Sequence, residues 1–285
     1  MIEQDDQLGL RWGPEKRAKS GDLDIAYWVF GEGTPLVLIT GLVTPASSWG
    51  PLPRILSDQG YKVIAIDNRD IGKSSRCDDI EYEIADMAKD VIAILDLEAI
   101  EQAYVLGISL GGMIAQELAL HFPQRVEKLI LIGTDPGYPD RVVDQDFWVS
   151  FLSIPAPDAE TYLRAAVGLM TAPGFADANP SMVDLIVKSR IGAFADAGQF
   201  NRQMLASTSF SSGERLPELK VPTLVIHGDQ DRMVPTPNGP RLAELIPGSE
   251  LVILENVGHL SPLEAPAEIF GHIARFFPVK EQVTR

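Results

Sequence analysis

The chain reads Leu106-Gly107-Ile108-Ser109-Leu110-Gly111-Gly112 at one point, placing a glycine two residues to either side of Ser109. The run Ala103–Leu106 before it has the composition of a buried strand. The pattern from Met113 to His121 after it is helical and stops near Phe122-Pro123. A serine on so sharp a strand-to-helix turn projects its hydroxyl clear of a sheet, where it can attack a carbonyl. The flanking glycines remove Cβ atoms that would clash in the bend. The following helix aims its N–H groups and positive dipole end at developing negative charge, which makes the Leu110 N–H a candidate oxyanion donor. The same stretch also reads as a glycine-rich turn with an N-capping serine and no chemistry. It has neither the ending of a phosphate-binding loop nor the glycine spacing of a dinucleotide fold.

A serine hydroxyl needs a base, and four histidines are available. His121 ends the helix after Ser109, where the dipole favours it. His227 ends an apolar strand and reads as structural, and His272 falls at a packing or surface position of the last helix. His259 lies in Asn256-Val257-Gly258-His259-Leu260-Ser261-Pro262, a loop directly after the final strand. Strand-to-helix loops of a parallel sheet share one edge, so His259 belongs on the same rim as Ser109. The base in turn needs an orienting carboxylate. Asp229 and Asp231 follow the strand Thr223–Ile226, and Asp135 follows Leu129–Ile132. All three also suit ordinary Asx turns, and residue chemistry alone does not choose among them.

The elements that must position these groups follow from hydrophobic pattern. Leu36–Ile39, Val63–Ile66, Ala103–Leu106, Leu129–Ile132, Leu224–Ile226 and Leu251–Leu254 are short apolar runs without polar alternation, as in strands covered on both faces. Amphipathic stretches separate them, as in Tyr82–Leu97, where Ile84, Met87, Ala88, Val91 and Leu95 share one face. This alternation predicts an α/β fold with a mostly parallel central sheet and helices on both faces. Asp24–Phe30 reads as a strand in an antiparallel hairpin with the strand that follows it. From Tyr138 to Leu219 the pattern is helical only, with helices expected at Asp144–Leu152, Asp158–Met170, Pro180–Ala195 and Gly198–Ser207. The expected organisation is a core of residues 1–137 and 220–285 with a helical lid, 138–219, inserted into it.

Composition limits the function classes. A formal charge of −16 over 285 residues leaves no basic stripe for nucleic acid or an anionic membrane. Cys77 is the single cysteine, so internal disulfides and cysteine metal clusters are excluded. The acidic start MIEQDDQ has no signal-peptide pattern, no run of about eighteen apolar residues occurs, and a cytoplasmic location is expected.

With these residues in view, the chain resembles the α/β-hydrolase superfamily over nearly its full length. The order Ser109, Asp231, His259 matches that family's nucleophile–acid–base order. Gly228-Asp229-Gln230-Asp231-Arg232-Met233-Val234-Pro235 resembles its G-x-x-D-x-x-x-P acid loop, which implies Asp231 rather than Asp229. Gly258-His259, with Glu264 and Pro266 downstream, resembles the histidine loop. Asp67-Asn68-Arg69-Asp70-Ile71-Gly72-Lys73-Ser74 resembles a structural turn in which Asp70 stands where glycine is common. Thr40-Gly41 replaces the frequent His-Gly pair, and the resemblance assigns the second oxyanion N–H to Leu42. The overall pattern is most similar to the esterase, lactonase and cofactor-free haloperoxidase-like branch. Its implied chemistry is cleavage of a small-molecule carboxylic ester or lactone through an acyl-enzyme, with neither metal nor organic cofactor. The alternatives are a carbon–carbon bond hydrolase or hydroxynitrile-lyase-type enzyme of the same fold, or a non-catalytic ligand receptor. For the pocket, Phe147, Trp148 and Phe151 are the lid candidates, with Leu152, Leu163, Val167 and Met170 beside them.

Overall fold

The computed structural model describes residues 12–78, 80–192 and 196–280, so the acidic N-terminal heptapeptide lies outside the described residues. Eight strands form one sheet: β1 (Lys16–Ser20), β2 (Leu23–Phe30), β3 (Thr34–Ile39), β4 (Tyr61–Ile66), β5 (Ala103–Ile108), β6 (Val126–Ile132), β7 (Thr223–Gly228) and β8 (Glu250–Leu254). Their spatial order is β1-β2-β4-β3-β5-β6-β7-β8. The pairs from β4 and β3 through to β8 are parallel, whereas β2 is antiparallel to both β1 and β4. The hairpin expected between β2 and β3 is therefore corrected. Both edges of β3 are taken by β4 and β5, and β2 turns back on β1 instead. That partner, Lys-Arg-Ala-Lys-Ser, buries only Ala18, so it carries no apolar run to be read as a strand. Its lysines suit an outer edge, where they discourage pairing with another chain.

Strand periodicity sorts the core into two layers. Val37, Ile39, Ile64, Val105, Leu129 and Leu131 face one side, and Leu36, Leu38, Val63, Leu106, Ile130 and Ile132 face the other. The helices of the framework are α1 (Leu52–Asp58), α2 (Ile84–Leu97) and α3 (Leu110–His121). The first layer is covered by α2 and α3, and α1 contributes Leu56 to the second.

Between β6 and β7 the described residues form five α-helices: α4 (Gln145–Leu152), α5 (Ala159–Met170), α6 (Phe175–Ala178), α7 (Pro180–Ile191) and α8 (Ala197–Ser209). Asp144, Asp158 and Asp196 start α4, α5 and α8 by accepting N–H bonds from Phe147, Thr161 and Gln199, which removes orphan donors. The helix expected to reach Ala195 stops at Ile191, and 193–195 lie outside the described residues. These helices share an apolar cluster of their own that includes Phe147, Leu163, Val167 and Ile186 and takes in Met233 and Leu260 from the sheet's loops. Three more α-helices follow among the described residues: α9 (Asn238–Leu245), α10 (Ser261–Glu264) and α11 (Pro266–Phe276), the last packing Ile269 and Ile273 on the second layer. Among the described residues no helix is long and apolar enough to cross a membrane.

The turn after β4 ties the insertion to the sheet. Asp70 has φ 74°, a region natural to glycine, and its carboxylate is fully enclosed. It accepts bonds from Arg202 of α8 (Nε and Nη2, both 2.8 Å), Cys77 N–H (2.8 Å) and Tyr82 Oη (2.9 Å). Burial opposes its ionisation, but these donors outweigh it and hold the carboxyl below its ordinary pKa. Arg202→Met, which leaves that charge enclosed with fewer partners, is expected to destabilise the protein by about 3 kcal/mol in urea unfolding. A lowered folded pKa stabilises above the ordinary carboxylate value, and that contribution disappears as pH falls through the folded one. The variant's stability should therefore depend less on pH in acid than that of the parent. A variant as stable as the parent would mean the pair holds nothing in place.

Candidate active site

Ser109 joins β5 to α3 at φ 55° and ψ −122°, a conformation rare for a residue with a side chain and worth roughly 1–3 kcal/mol of strain. The surroundings fix it there. Its N–H donates to the Ile132 carbonyl of β6 (2.9 Å), and its own carbonyl accepts from Gly112 N–H and Thr134 Oγ1 (both 2.8 Å). Packing around the turn leaves no space for side chains. A Cβ on Gly107 would strike the Gly111 carbonyl, one on Gly111 the Ile39 and Thr40 carbonyls, and one on Gly112 the Thr134 side chain.

On the neighbouring loops, His259 Nδ1 lies 2.8 Å from Asp231 Oδ2, and both residues are 4% exposed. With an ionised carboxylate opposite, Nδ1 carries the proton and Nε2 is left as the acceptor. Asp231 is steadied through Oδ1, which accepts the Val234 N–H (2.9 Å). The other two acids are committed elsewhere. Asp229 Oδ1 accepts from Val257 N–H (3.3 Å), and Asp135 Oδ1 accepts from Gly137 N–H (2.8 Å) and Arg141 Nε (2.7 Å). Geometry thus joins Asp231 alone of the three candidates to His259.

The remaining histidines stand as the sequence suggested. His227 is fully buried, bonds the Val234 carbonyl through Nε2 (2.7 Å) and lies 3.6 Å from Asp231 Oδ2. Burial pushes its pKa down despite that carboxylate, which keeps it neutral. His121 is exposed and meets the Glu117 carboxylate at 2.7 Å, and His272 lies partly exposed on α11.

Two residues position these loops: Glu264, which the sequence marks only as part of the histidine-loop pattern, and Gln203, which it does not single out. Glu264 accepts from Gly258 N–H (3.0 Å) and Ala172 N–H (2.7 Å), and His259 N–H donates to the Met170 carbonyl (2.7 Å). The histidine loop is thereby stitched to the end of α5. Gln203 of α8, with no exposure, accepts the Val43 N–H (2.7 Å) and donates to the Arg69 carbonyl (3.0 Å). Val43, at φ 45°, adjoins Leu42. Thr40 Oγ1 donates to the Thr44 carbonyl (2.7 Å), so the loop keeps an internal brace without a histidine there. Among the described residues no protein acceptor takes the N–H of Leu42 or Leu110.

Ser109 and Leu42 border two cavities. One, of about 300 Å³, also contains His259, Phe151, Tyr162 and Met170. The other, of about 270 Å³, contains Leu110, Met113, Trp148 and Leu152. Phe147 lines neither. With no exposure, it is sealed between Trp148 and Phe151 in the inserted helices' own core, which corrects its place among the pocket candidates. Among the described residues no group of three His, Cys, Asp or Glu side chains is placed to hold a metal.

Gly111→Ala is expected to destabilise the fold by roughly 1–3 kcal/mol through overpacking. Gly168→Ala on α5, whose Cβ would meet nothing within 4 Å, should stabilise by roughly 0.5–1 kcal/mol. Urea midpoints check both, and equal midpoints would contradict the packing of the turn.

Residues 34–266 match the α/β hydrolase fold family. Rhodomycin D methylesterase DnrP of Streptomyces peucetius is 31% identical over 277 residues, covering 84% of this chain and 91% of that protein. The 3-oxoadipate enol-lactonase 2 of Acinetobacter baylyi is 30% identical over 254 residues, covering 88% of this chain and 91% of the relative. Among solved structures, a bromoperoxidase from Bacillus anthracis has a TM-score of 0.81 at 25% identity, covering 92% of this chain and 99% of that one. A match of that span, together with the order of the strands and of the serine, aspartate and histidine loops, makes this chain a member of the α/β-hydrolase fold family, in its esterase and lactonase branch.

Proposed function

We propose that the protein is a serine hydrolase that cleaves a carboxylic ester or lactone through an acyl-enzyme, with Ser109 as nucleophile, His259 as base and Asp231 as its orienting acid. The observation that carries this reading is the 2.8 Å bond from His259 to Asp231 beside a strained Ser109 on a shared cavity. Ser109 Oγ attacks the carbonyl carbon while His259 Nε2 takes its proton, and Asp231 stabilises the imidazolium. The N–H groups of Leu42 and Leu110 receive the oxyanion. The imidazolium then protonates the departing alkoxide, and a water deprotonated by the same histidine releases the acid.

Residues 138–219 act in this reading as the lid that shapes specificity, with Phe151 lining one of the two cavities beside Ser109 and Trp148 the other. The two cavities that meet at Ser109 suit the two halves of an ester, and their linings favour apolar groups. The relatives named as a methylesterase and an enol-lactonase support ester or lactone cleavage as the reaction class.

A fluorophosphonate probe is expected to label the protein stoichiometrically, and Ser109→Ala to abolish labelling. Across a panel of p-nitrophenyl esters, lactones and cyanohydrins, turnover of esters or lactones is expected. Asp231→Asn should lower kcat by about 10⁴-fold, as in comparable triads, while Asp229→Asn retains most activity. The reverse order would reassign the acid, and cyanohydrin cleavage without ester turnover would replace hydrolysis by lyase chemistry. Gln203→Leu strands the Val43 N–H and the Arg69 carbonyl, so a loss of roughly 1–3 kcal/mol in stability is expected, with kcat falling more than KM changes.

A further inference from the structure

Strand β7 is apolar from Leu224 to Ile226 and then places a histidine, His227, where it has no exposure. Its Nε2 lies 2.7 Å from the Val234 carbonyl, which can only accept, so the ring proton sits on Nε2. Nδ1 is then an acceptor, and it is one of five buried side-chain polar atoms among the described residues without a hydrogen-bond partner. It is sealed in, since a Cβ on Gly239 of α9 would come within 3.0 Å of it. A buried acceptor left unpaired is costly, and an apolar residue at this strand end would avoid that cost. The polar ring therefore needs a reason.

The neighbours of the other nitrogen supply one. Val234, whose carbonyl His227 holds, donates its own N–H to Asp231 Oδ1 (2.9 Å). His227 Nε2 also lies 3.6 Å from Asp231 Oδ2, the oxygen that His259 engages at 2.8 Å. That is too long for a hydrogen bond, but it brings the positive end of an N–H dipole near the carboxylate in a place with little water. Asp231 is thus held between two imidazoles, of which only that of His259 reaches the cavity of Ser109. Burial pulls the His227 pKa down, so this ring stays neutral. A second cation there would compete with the imidazolium on His259 for one carboxylate, whereas a neutral N–H does not. The other ionisable groups facing these three residues are Asp135 after β6 and Glu264 of α10. Asp135 is paired with Arg141 (2.7 Å), and Glu264 is engaged by the Gly258 and Ala172 N–H groups.

We propose that His227 is a positioning residue for the catalytic acid: it fixes Asp231 through Val234 and sets a neutral N–H beside the oxygen that His259 uses. For its effect on rate this assignment rests on the serine-hydrolase reading, and it adds a fourth residue behind Ser109, His259 and Asp231. Without that N–H the carboxylate either takes up a proton more readily or pulls harder on the proton of His259. Both move the loss of activity in acid to higher pH.

The test uses the whole chain with 15N-labelled histidine, followed by NMR. In the parent, His227 is expected to carry its proton on Nε2 and to stay neutral from about pH 5 to 9, while His259 titrates. His227→Gln keeps an N–H for the Val234 carbonyl, and His227→Met removes it. In His227→Met the midpoint of the His259 titration, and the acid limb of kcat/KM for p-nitrophenyl butyrate, should rise by about 0.5–1 unit, and in His227→Gln by less. In His227→Met, kcat should fall roughly 3- to 10-fold with KM changed by less than about twofold. Should His227→Met not fold, His227→Asn, whose shorter amide does not reach Val234, takes its place. A side chain that only fills the core would alter unfolding midpoints and leave the His259 titration where it is. That outcome overturns the proposal, as does a parent in which His227 carries its proton on Nδ1 or titrates together with His259. The NMR titrations need no turnover. A parent that takes neither the fluorophosphonate nor any ester therefore sinks the hydrolase reading alone, and the His259 titration still decides the role of His227.

Discussion

The hydrogen bond between His259 and Asp231 sets the terms for the rest of the molecule. It joins the loops after two adjacent parallel strands, in a place with almost no access to water. Each oxygen of the buried carboxylate has a partner there, one the imidazole and one the Val234 N–H. Space around the pair is equally constrained. A Cβ on Gly228 would strike the carbonyls of Val257 and Gly258, and a Cβ on Gly133 would touch both the aspartate and the imidazole. Backbone without a side chain is thus required at Gly228, the end of β7, before the two loops can meet, whereas at Gly133 the positive φ of 50° and not lack of space favours glycine.

The inserted helices are bound to that centre at separate points. Gln203 grips the loop that carries Leu42, Arg202 grips the turn after β4, and the end of α5 is bonded to His259 and Glu264. Each contact joins a polar group of the insertion to backbone or a carboxylate of the sheet's loops. The insertion therefore supports the geometry of those loops as well as covering them.

Much of this was legible in the residues because the physics is local. Strands β3 to β7 are apolar on both faces, so they stand out, and the glycines around Ser109 declare a turn too tight for side chains. Strand β1 is legible only once β2 needs a partner, since one alanine among four polar residues carries no pattern. The choice of Asp231 over Asp229 and Asp135 came from family pattern, and hydrogen bonds then separated the three. Gln203 was hidden, and Glu264 was visible only as a family marker without a role, because an amide or acid on a helix acquires its role only from the carbonyls and N–H groups that folding brings to it. Phe147 and Phe151 share a helical face, and periodicity gives that direction but not the depth at which one is sealed and the other meets the cavity.

Two chambers that share Ser109 also bear on the order of events. In an acyl-transfer cycle the alcohol can depart from one chamber while the acid half stays covalently held in the other. Release in the proposed cycle would then be sequential by shape, and the vacated chamber would decide which acceptor arrives next. In that proposed cycle a small alcohol, an amine or hydrogen peroxide entering there would compete with water for the same acyl group, and the second chamber's lining, from Trp148 to Met113, would set the partition between hydrolysis and transfer.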